Sequence, residues 1–470
     1  MSFTDRLLHR FDVRPDEVRT LLLLLGGAFL VVSYMVVARA LREAVYLTTF
    51  DVTTLPYITG AAALLSLPAV AWFSKVLSRV HPCRAMYAVA GISAIGLLLL
   101  LWIGRDTAWG VVALYLWTAL SALLVTSGFW IVAAEFFTVR AARRLYGIIG
   151  AGGTVGALIV GVSLSWYTRQ LDVLYVVPLL VALLLLYVLL QSLLPGSKEA
   201  ASATTTTTIQ RPMKENFSLV YNTPHLRTIA WIVFLATMAS TLVDYQFKEI
   251  VSARYTDQAS LTSFFGAFYG WTGGVALLIQ LLLAARLMAV AGIAASLTVL
   301  PIFLLLGAGG LLIAPGIVLA VLVRGGDNSL RKSIHRQLLE FLYVPLPAAL
   351  RRRTKTFVDS VVDSLGEGAG SLVIFLWVTL PGLPSRYLAL FVMVLSGLFI
   401  LVSQRMGREY FSTIVARLQE EEAEAAERSS RAMVKNRHLL SASFSRMDIE
   451  ALLTSTGLPE LTELADLRKQ

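Results

Sequence analysis

From Leu21 to Glu43 the chain reads LLLLLGGAFLVVSYMVVARALRE, an apolar run without a charge until Arg39, Arg42 and Glu43. The hydrocarbon core of a bilayer is about 30 Å thick and is crossed by about 20 apolar residues in helical form. This run therefore has the length of a crossing. Charges inside such a helix are costly in lipid, and where they persist they mark a path for a polar or ionic substrate.

The same pattern recurs along the chain. It predicts spans at 20–47, 54–77, 85–104, 108–137, 144–168, 173–194, 226–248, 261–285, 288–312, 314–342, 355–380 and 386–404. With 57% hydrophobic and 15% charged residues over 470 positions, the chain cannot be a soluble domain. Runs of this length satisfy their backbone groups internally as helices, whereas a membrane barrel would show short alternating segments. The expected fold is an all-α polytopic membrane protein with twelve transmembrane helices.

Residues 1–19 carry Asp5, Asp12, Asp16 and Glu17, which argues against a cleaved signal peptide, although Ala38-Arg39-Ala40 mimics a cleavage site. Cys83 is the single cysteine, so neither a disulfide framework nor a thiolate metal site is expected. The five histidines are scattered without metal-ligand spacing, and no cofactor is expected.

Loop charge sets orientation. Alternate loops hold Arg6 to Arg19, Lys75 to Arg84, Arg140 to Arg144, Lys198 to Arg227, Arg286 and Arg351 to Lys355, while the opposite loops hold Arg105, Arg169, Lys248, Arg254 and Arg386. Both termini are therefore expected in the cytoplasm. The net charge of +10 reflects this asymmetry, not nucleic-acid binding, because the basic residues form no patch with a stacking platform.

Between Pro195 and Pro224 hydrophobicity collapses, with Thr204 to Thr208 as a low-complexity core. This divides the chain into a cytoplasmic segment 1–19, a six-helix half 20–194, a cytoplasmic linker 195–225, a second half 226–404 and a cytoplasmic helical tail 405–470. Two six-helix repeats around such a linker have the layout of the major facilitator architecture. The sequence echoes itself accordingly: Glu135-Phe136-Phe137 and Gly150 to Thr154 in the first half resemble Glu340-Phe341-Leu342 and Gly366 to Gly370 in the second. In the tail, Met447 to Leu467 is amphipathic and suits either a solvated helix or a protein partner.

The intramembrane charges are the candidate site. Arg39, Arg42 and Glu43 share one face of the first span at i, i+3, i+4, and Asp244 and Lys248 lie at i, i+4 in the seventh. In the tenth, Arg324, Asp327, Asn328, Arg331, Lys332, His335, Arg336 and Glu340 follow one another. The eleventh carries Asp359, Asp363 and Glu367 at i, i+4, i+8. Two readings stand. Arg331 or Arg336 with Asp359 or Asp363 makes gate or packing salt bridges, with Glu43 and Glu340 in similar gating or coupling roles. Arg39, Arg42 and Lys248 have fewer local carboxylates and are expected to bind a phosphate-bearing ligand, unless they snorkel to the interface. The glycines at 147, 150, 152, 153 and 156 and at 366, 368 and 370 read as close helix packing.

These stretches resemble the ATP/ADP translocases of the nucleotide exchange type, found in plastids and intracellular bacteria. The resemblance rests on Arg39 to Glu43; Phe129-Trp130 through Arg143-Arg144-Leu145-Tyr146 to Gly150; Thr241 to Asp244 with Phe247-Lys248; Phe268 to Gly273; Glu340 to Leu346; and Lys355 through Asp359 to Gly368. They stand in the family's order over residues 20–400. It implies that Arg42 replaces a functional lysine and Asp244 a functional glutamate, both with charge kept. Two departures do not keep it: the family's glutamate in the fourth span falls on Thr118 or a neighbour, and its lysine in the eleventh appears as Glu367.

The expectation is a nonenzymatic secondary transporter, a divergent bacterial member in the inner membrane, exchanging nucleotides or another phosphorylated anion by alternating access. Its binding residues would be Arg39, Arg42, Asp244, Lys248, Asn328, Arg331 and Glu367, with nucleobase stacking open to Trp117, Phe129, Trp130 or Trp271. A proton-coupled carrier with Asp363 and Glu367 titrating, or a nontransporting sensor that presents its tail, are the alternatives.

Overall fold

The computed structural model describes residues 17–77, 79–103, 107–137, 139–168, 175–194, 213–346, 350, 354–355, 357–379 and 384–425. The leader before residue 17, the run Thr204 to Thr208 and the amphipathic piece Met447 to Leu467 lie outside the described residues.

Among the described residues the regular elements are all helical. In chain order they are α1 (Val18–Thr49), α2 (Leu55–Leu77), α3 (Pro82–Ile103), α4 (Ala108–Phe136), α5 (Val139–Tyr167), α6 (Val176–Ser192), α7 (Met213–Asn222), α8 (Pro224–Arg254), α9 (Gln258–Ile279), α10 (Ala285–Ile313), α11 (Ile317–Leu330), α12 (Arg336–Leu342), α13 (Asp363–Thr379) and α14 (Leu388–Ala425). Nine of the described helices are long and apolar enough to cross a membrane. The predicted sixth span is also helical, as the shorter Val176–Ser192, and the predicted tenth and eleventh are helical but charged. The protein is a multi-pass integral membrane protein.

Polar residues punctuate the ends. Thr107 accepts the Gly110 N–H at 3.1 Å and starts α4. Asp257 accepts the Ser260 N–H at 2.7 Å and starts α9, and that hydrogen bond holds its carboxyl below the usual range. Gly292 has φ 77°, a backbone state that L side chains rarely adopt, and breaks α10. Among the described residues, three π-helical turns interrupt the second half of the chain, at Gln280–Ala284, Arg331–His335 and Val358–Val362.

Two compact units account for the chain: Met1–Ile209 with Lys248–Val275, and Gln210–Phe247 with Ala276–Gln470. In the first, α1 is the central helix, packed by α4, α5 and α6, with Val37, Ala38, Ala40 and Ala44 fully buried. Glycine makes this possible. A Cβ on Gly156 would lie 2.5 Å from the Phe29 carbonyl oxygen, and one on Gly152 2.8 Å from that of Leu25. The segment Lys248–Val275 joins this unit through similar contacts: a Cβ on Gly161 would meet the Gly266 oxygen at 2.7 Å, and Ser165 and Ser263 share a 3.0 Å hydrogen bond.

In the second unit α13 lies as closely on α8. A Cβ on Gly366 would fall 2.9 Å from the Phe234 oxygen and one on Gly370 2.8 Å from Thr241 Cβ. Helix α14 packs against α10, where a Cβ on Gly407 would meet Ala294 Cβ at 2.6 Å. It does not stop where hydropathy falls at Gln404 but continues to Ala425, braced by Arg405 to Glu409 at 2.6 Å and by a hydrogen bond from Thr228 to Glu409.

Candidate functional site

In the first unit Arg42 and Lys248 gather around one carboxylate. Glu43 is almost completely buried, and Lys248 Nζ stands 2.7 Å from its Oε2. Arg42 Nε is 3.8 Å from Oε1. Lys248 is thus an ion-paired side chain, and the expectation of a cation short of local carboxylates does not describe it. Its partner is 205 positions away in the chain, beyond what local spacing can reveal.

Both arginines meet aromatic faces. The Arg39 guanidinium carbon is 4.4 Å from the centroid of Tyr269, and that of Arg42 is 5.2 Å from Tyr115. These are cation–π distances. Arg42 Nε is buried without a hydrogen-bond partner, a donor that suits an incoming anion. Tyr115 in turn meets Tyr46 edge-on at 5.3 Å, and Tyr46 Oη is 2.9 Å from Thr54 Oγ1.

The second unit carries a different arrangement, with α8 facing α11 and α13. Arg324 binds Asp244 at 2.6 Å and Asp327 at 2.5 Å, and donates to Ser240 Oγ at 2.7 Å. Ser240 donates to Asp327 at 2.5 Å. Arg331 reaches Asp327 at 3.4 Å, Thr237 Oγ1 at 3.3 Å and the Ala236 carbonyl oxygen. Thr237 donates to Asp363 Oδ1 at 2.5 Å. Here two arginines face three carboxylates, Asp244, Asp327 and Asp363.

The other expected residues separate. Asn328 is buried beside Asp327 on α11. Glu367 is half-buried one turn beyond Asp363, while Asp359 is exposed. The π-helical turn Val358–Val362 changes the rotation between them, so the acidic series at i, i+4, i+8 is not one continuous stripe. Arg336 and Glu340 are exposed, and Glu340 pairs with Lys355 at 2.5 Å. Arg331 reaches Asp363 only through the Thr237 hydroxyl.

Thr118 is buried, and its hydroxyl donates to the Leu114 carbonyl oxygen of its own helix at 2.6 Å. Trp117 donates to the Ser93 oxygen at 3.1 Å, Phe129 and Trp130 pack on each other at 5.4 Å, and Trp271 is exposed. The aromatic groups beside the cations are instead Tyr115 and Tyr269. Sequence reasoning passed over both, together with Thr237 and Ser240, and counted Arg324 and Asp327 among the charges of the tenth span but not among the binding residues. A usable signal existed for Thr237 and Ser240, which with Asp244 follow helical spacing, as Arg324, Asp327 and Arg331 do.

Residues 80–410 match the family described as TLC ATP/ADP transporter. Among similar proteins, an ADP,ATP carrier protein 1 of Chlamydia muridarum is 23% identical over 306 residues, 56% of this chain and 58% of the carrier. The chain thus spans less than two thirds of that relative's length. The carrier of the same name from Chlamydia pneumoniae is 22% identical over 387 residues, covering 73% of this chain and 75% of its own. Among solved structures, the nucleoside transporter NupG superposes with a TM-score of 0.62 at 14% identity, over 83% of this chain and 98% of NupG. That likeness is one of overall fold. The matched proteins are carriers, not enzymes. With well over half of its length inside the match, the chain belongs to the TLC ATP/ADP transporter family.

Proposed function

We propose that this protein is a secondary transporter that exchanges nucleotides, or a closely related phosphorylated anion, by alternating access in the bacterial inner membrane. The observation that carries this reading is the pair of arginines on α1, Arg39 on the Tyr269 ring and Arg42 on the Tyr115 ring with Glu43 3.8 Å away, an arrangement that a phosphate group could meet. The two arginines are the expected phosphate contacts, since a guanidinium offers N–H donors in a fork that matches phosphate oxygens. The family membership and the names of the matched carriers support the nucleotide as substrate.

In this reading the helices Val176–Ser192, Ile317–Leu342 and Val358–Thr379 also cross the bilayer, which gives twelve spans in two six-helix repeats with both termini in the cytoplasm. Asp244, Asn328, Arg331 and Glu367 contribute from the second unit. A thermal-shift screen of purified protein against ATP, ADP, AMP, sugar phosphates and carboxylates tests the substrate class, because a ligand that binds the native state raises its apparent stability. Stabilisation by carboxylates alone would reject the nucleotide.

A second reading is a proton-coupled carrier for a different substrate, favoured by the placement of Asp363, which accepts from the Thr237 hydroxyl, one turn from Glu367 on α13. In it these two carboxylates take up a proton on one side of the membrane and release it on the other. Uptake driven by a pH gradient without any internal nucleotide would select it over exchange.

A further inference from the structure

Glu43 sits between two cations that could each claim it, and the geometry shows which one does. Its Oε2 is 2.7 Å from Lys248 Nζ, a close ion pair, whereas Oε1 is 3.8 Å from Arg42 Nε, beyond hydrogen-bond range. Left alone with an arginine, a carboxylate is capable of a two-pronged contact that would occupy the very N–H groups a phosphate needs. Arg42 is held otherwise, with its guanidinium carbon 5.2 Å from the centroid of Tyr115. A ring face steadies a guanidinium without cancelling its charge or taking up the edge N–H donors. The ring is itself located, through its edge contact with Tyr46 and the hydrogen bond between the Tyr46 and Thr54 hydroxyls.

We propose that Lys248 is a positioning residue that holds Glu43 off Arg42, and that Tyr115 is a second one that orients the Arg42 guanidinium toward a substrate phosphate. This rests on the phosphate-binding reading of Arg42 and divides the three cations by task. Arg42 touches the anion. Lys248 neutralises the carboxylate that would otherwise compete for it.

The test uses the full-length protein in detergent, with ATP and inorganic pyrophosphate as probes, AMP as the comparison for the ring variants, and the dissociation constant as readout. Lys248→Met alone frees Glu43 to engage Arg42 and should weaken both probes by about tenfold or more. Because that variant strands a buried carboxylate and could fail to fold, the deciding protein is Lys248→Met with Glu43→Gln, which removes both charges together. The proposal expects this double variant to bind ATP within about threefold of the parent, and Arg42→Gln added to it to lose about tenfold or more. Double-variant binding as weak as that of Arg42→Gln would show that Lys248 itself holds the anion and would overturn the proposal. For the ring, Tyr115→Phe should keep parental affinity and Tyr115→Leu should lose about tenfold, more for ATP than for AMP. Equal losses in Phe and Leu variants, or equal losses for ATP and AMP, would overturn the positioning role. A parent protein that binds neither probe would instead overturn the phosphate reading beneath it, and this is visible before any variant is made.

Discussion

The Arg324 guanidinium lies 2.6 Å from the Asp244 carboxylate and so ties α11 to α8, with Asp327 held by the same arginine at 2.5 Å. Asp327 is fully buried and Arg324 nearly so. Removing one partner of a buried ion pair costs about 3–5 kcal/mol, because the other charge is left without compensation. Arg324→Met is therefore expected to lower the melting temperature in detergent sharply. Adding Asp244→Asn should recover part of the loss, and an additive double variant would mean that the two side chains do not depend on each other.

The glycine contacts make a contrasting pair of substitutions. Gly156→Ala places a methyl group 2.5 Å from the Phe29 oxygen, and overpacking of this kind costs about 1–3 kcal/mol. Gly147→Ala meets nothing within 4 Å on the same helix and should be neutral or slightly stabilising. Thermal unfolding of the two variants side by side checks this. Equal melting temperatures would deny that α5 is drawn onto α1 through Gly156.

Glu367 stands where the family's resemblance places a lysine, and it is half-buried on α13. Reversing its charge adds a cation for a polyphosphate to meet. Glu367→Lys is expected to strengthen ATP binding more than AMP binding, by about tenfold in the ratio, as one charge-assisted contact of about 1.5–3 kcal/mol would give. An unchanged ratio would remove Glu367 from the binding residues.

How much of this was legible in the sequence differs by feature. Apolar runs located helices throughout the described chain, because bilayer length and backbone hydrogen bonding leave little choice. The end of α14 was not legible, since falling hydropathy after Gln404 marks the exit from lipid and not the end of a helix built from Arg405, Glu409 and other good helix formers. Charge spacing identified Arg39, Arg42 and Glu43 as one face. It could not assign Lys248 to Glu43 or Arg324 to Asp244, because those choices depend on which helices become neighbours. Regular counting also failed at Asp359, where a π-helical turn intervenes.

Topology offers an independent check. Loop charge predicts that Thr204 to Thr208 and the chain after Arg408 face the cytoplasm together. Single cysteines introduced in both segments, with Cys83 replaced, should be labelled from the same side by a membrane-impermeant reagent. Labelling from opposite sides would leave an odd number of crossings between them and end the account of two six-helix repeats.

The most direct measurement of the central claim is uptake of labelled ATP into liposomes that carry the purified protein, either empty or preloaded with ADP. Exchange through an arginine-lined site predicts saturable uptake that internal ADP accelerates, and loss of about one to two decades in apparent affinity when Arg42 is changed to Gln. Uptake that is absent with or without internal ADP, or that proceeds unchanged in the Arg42→Gln protein, would contradict it.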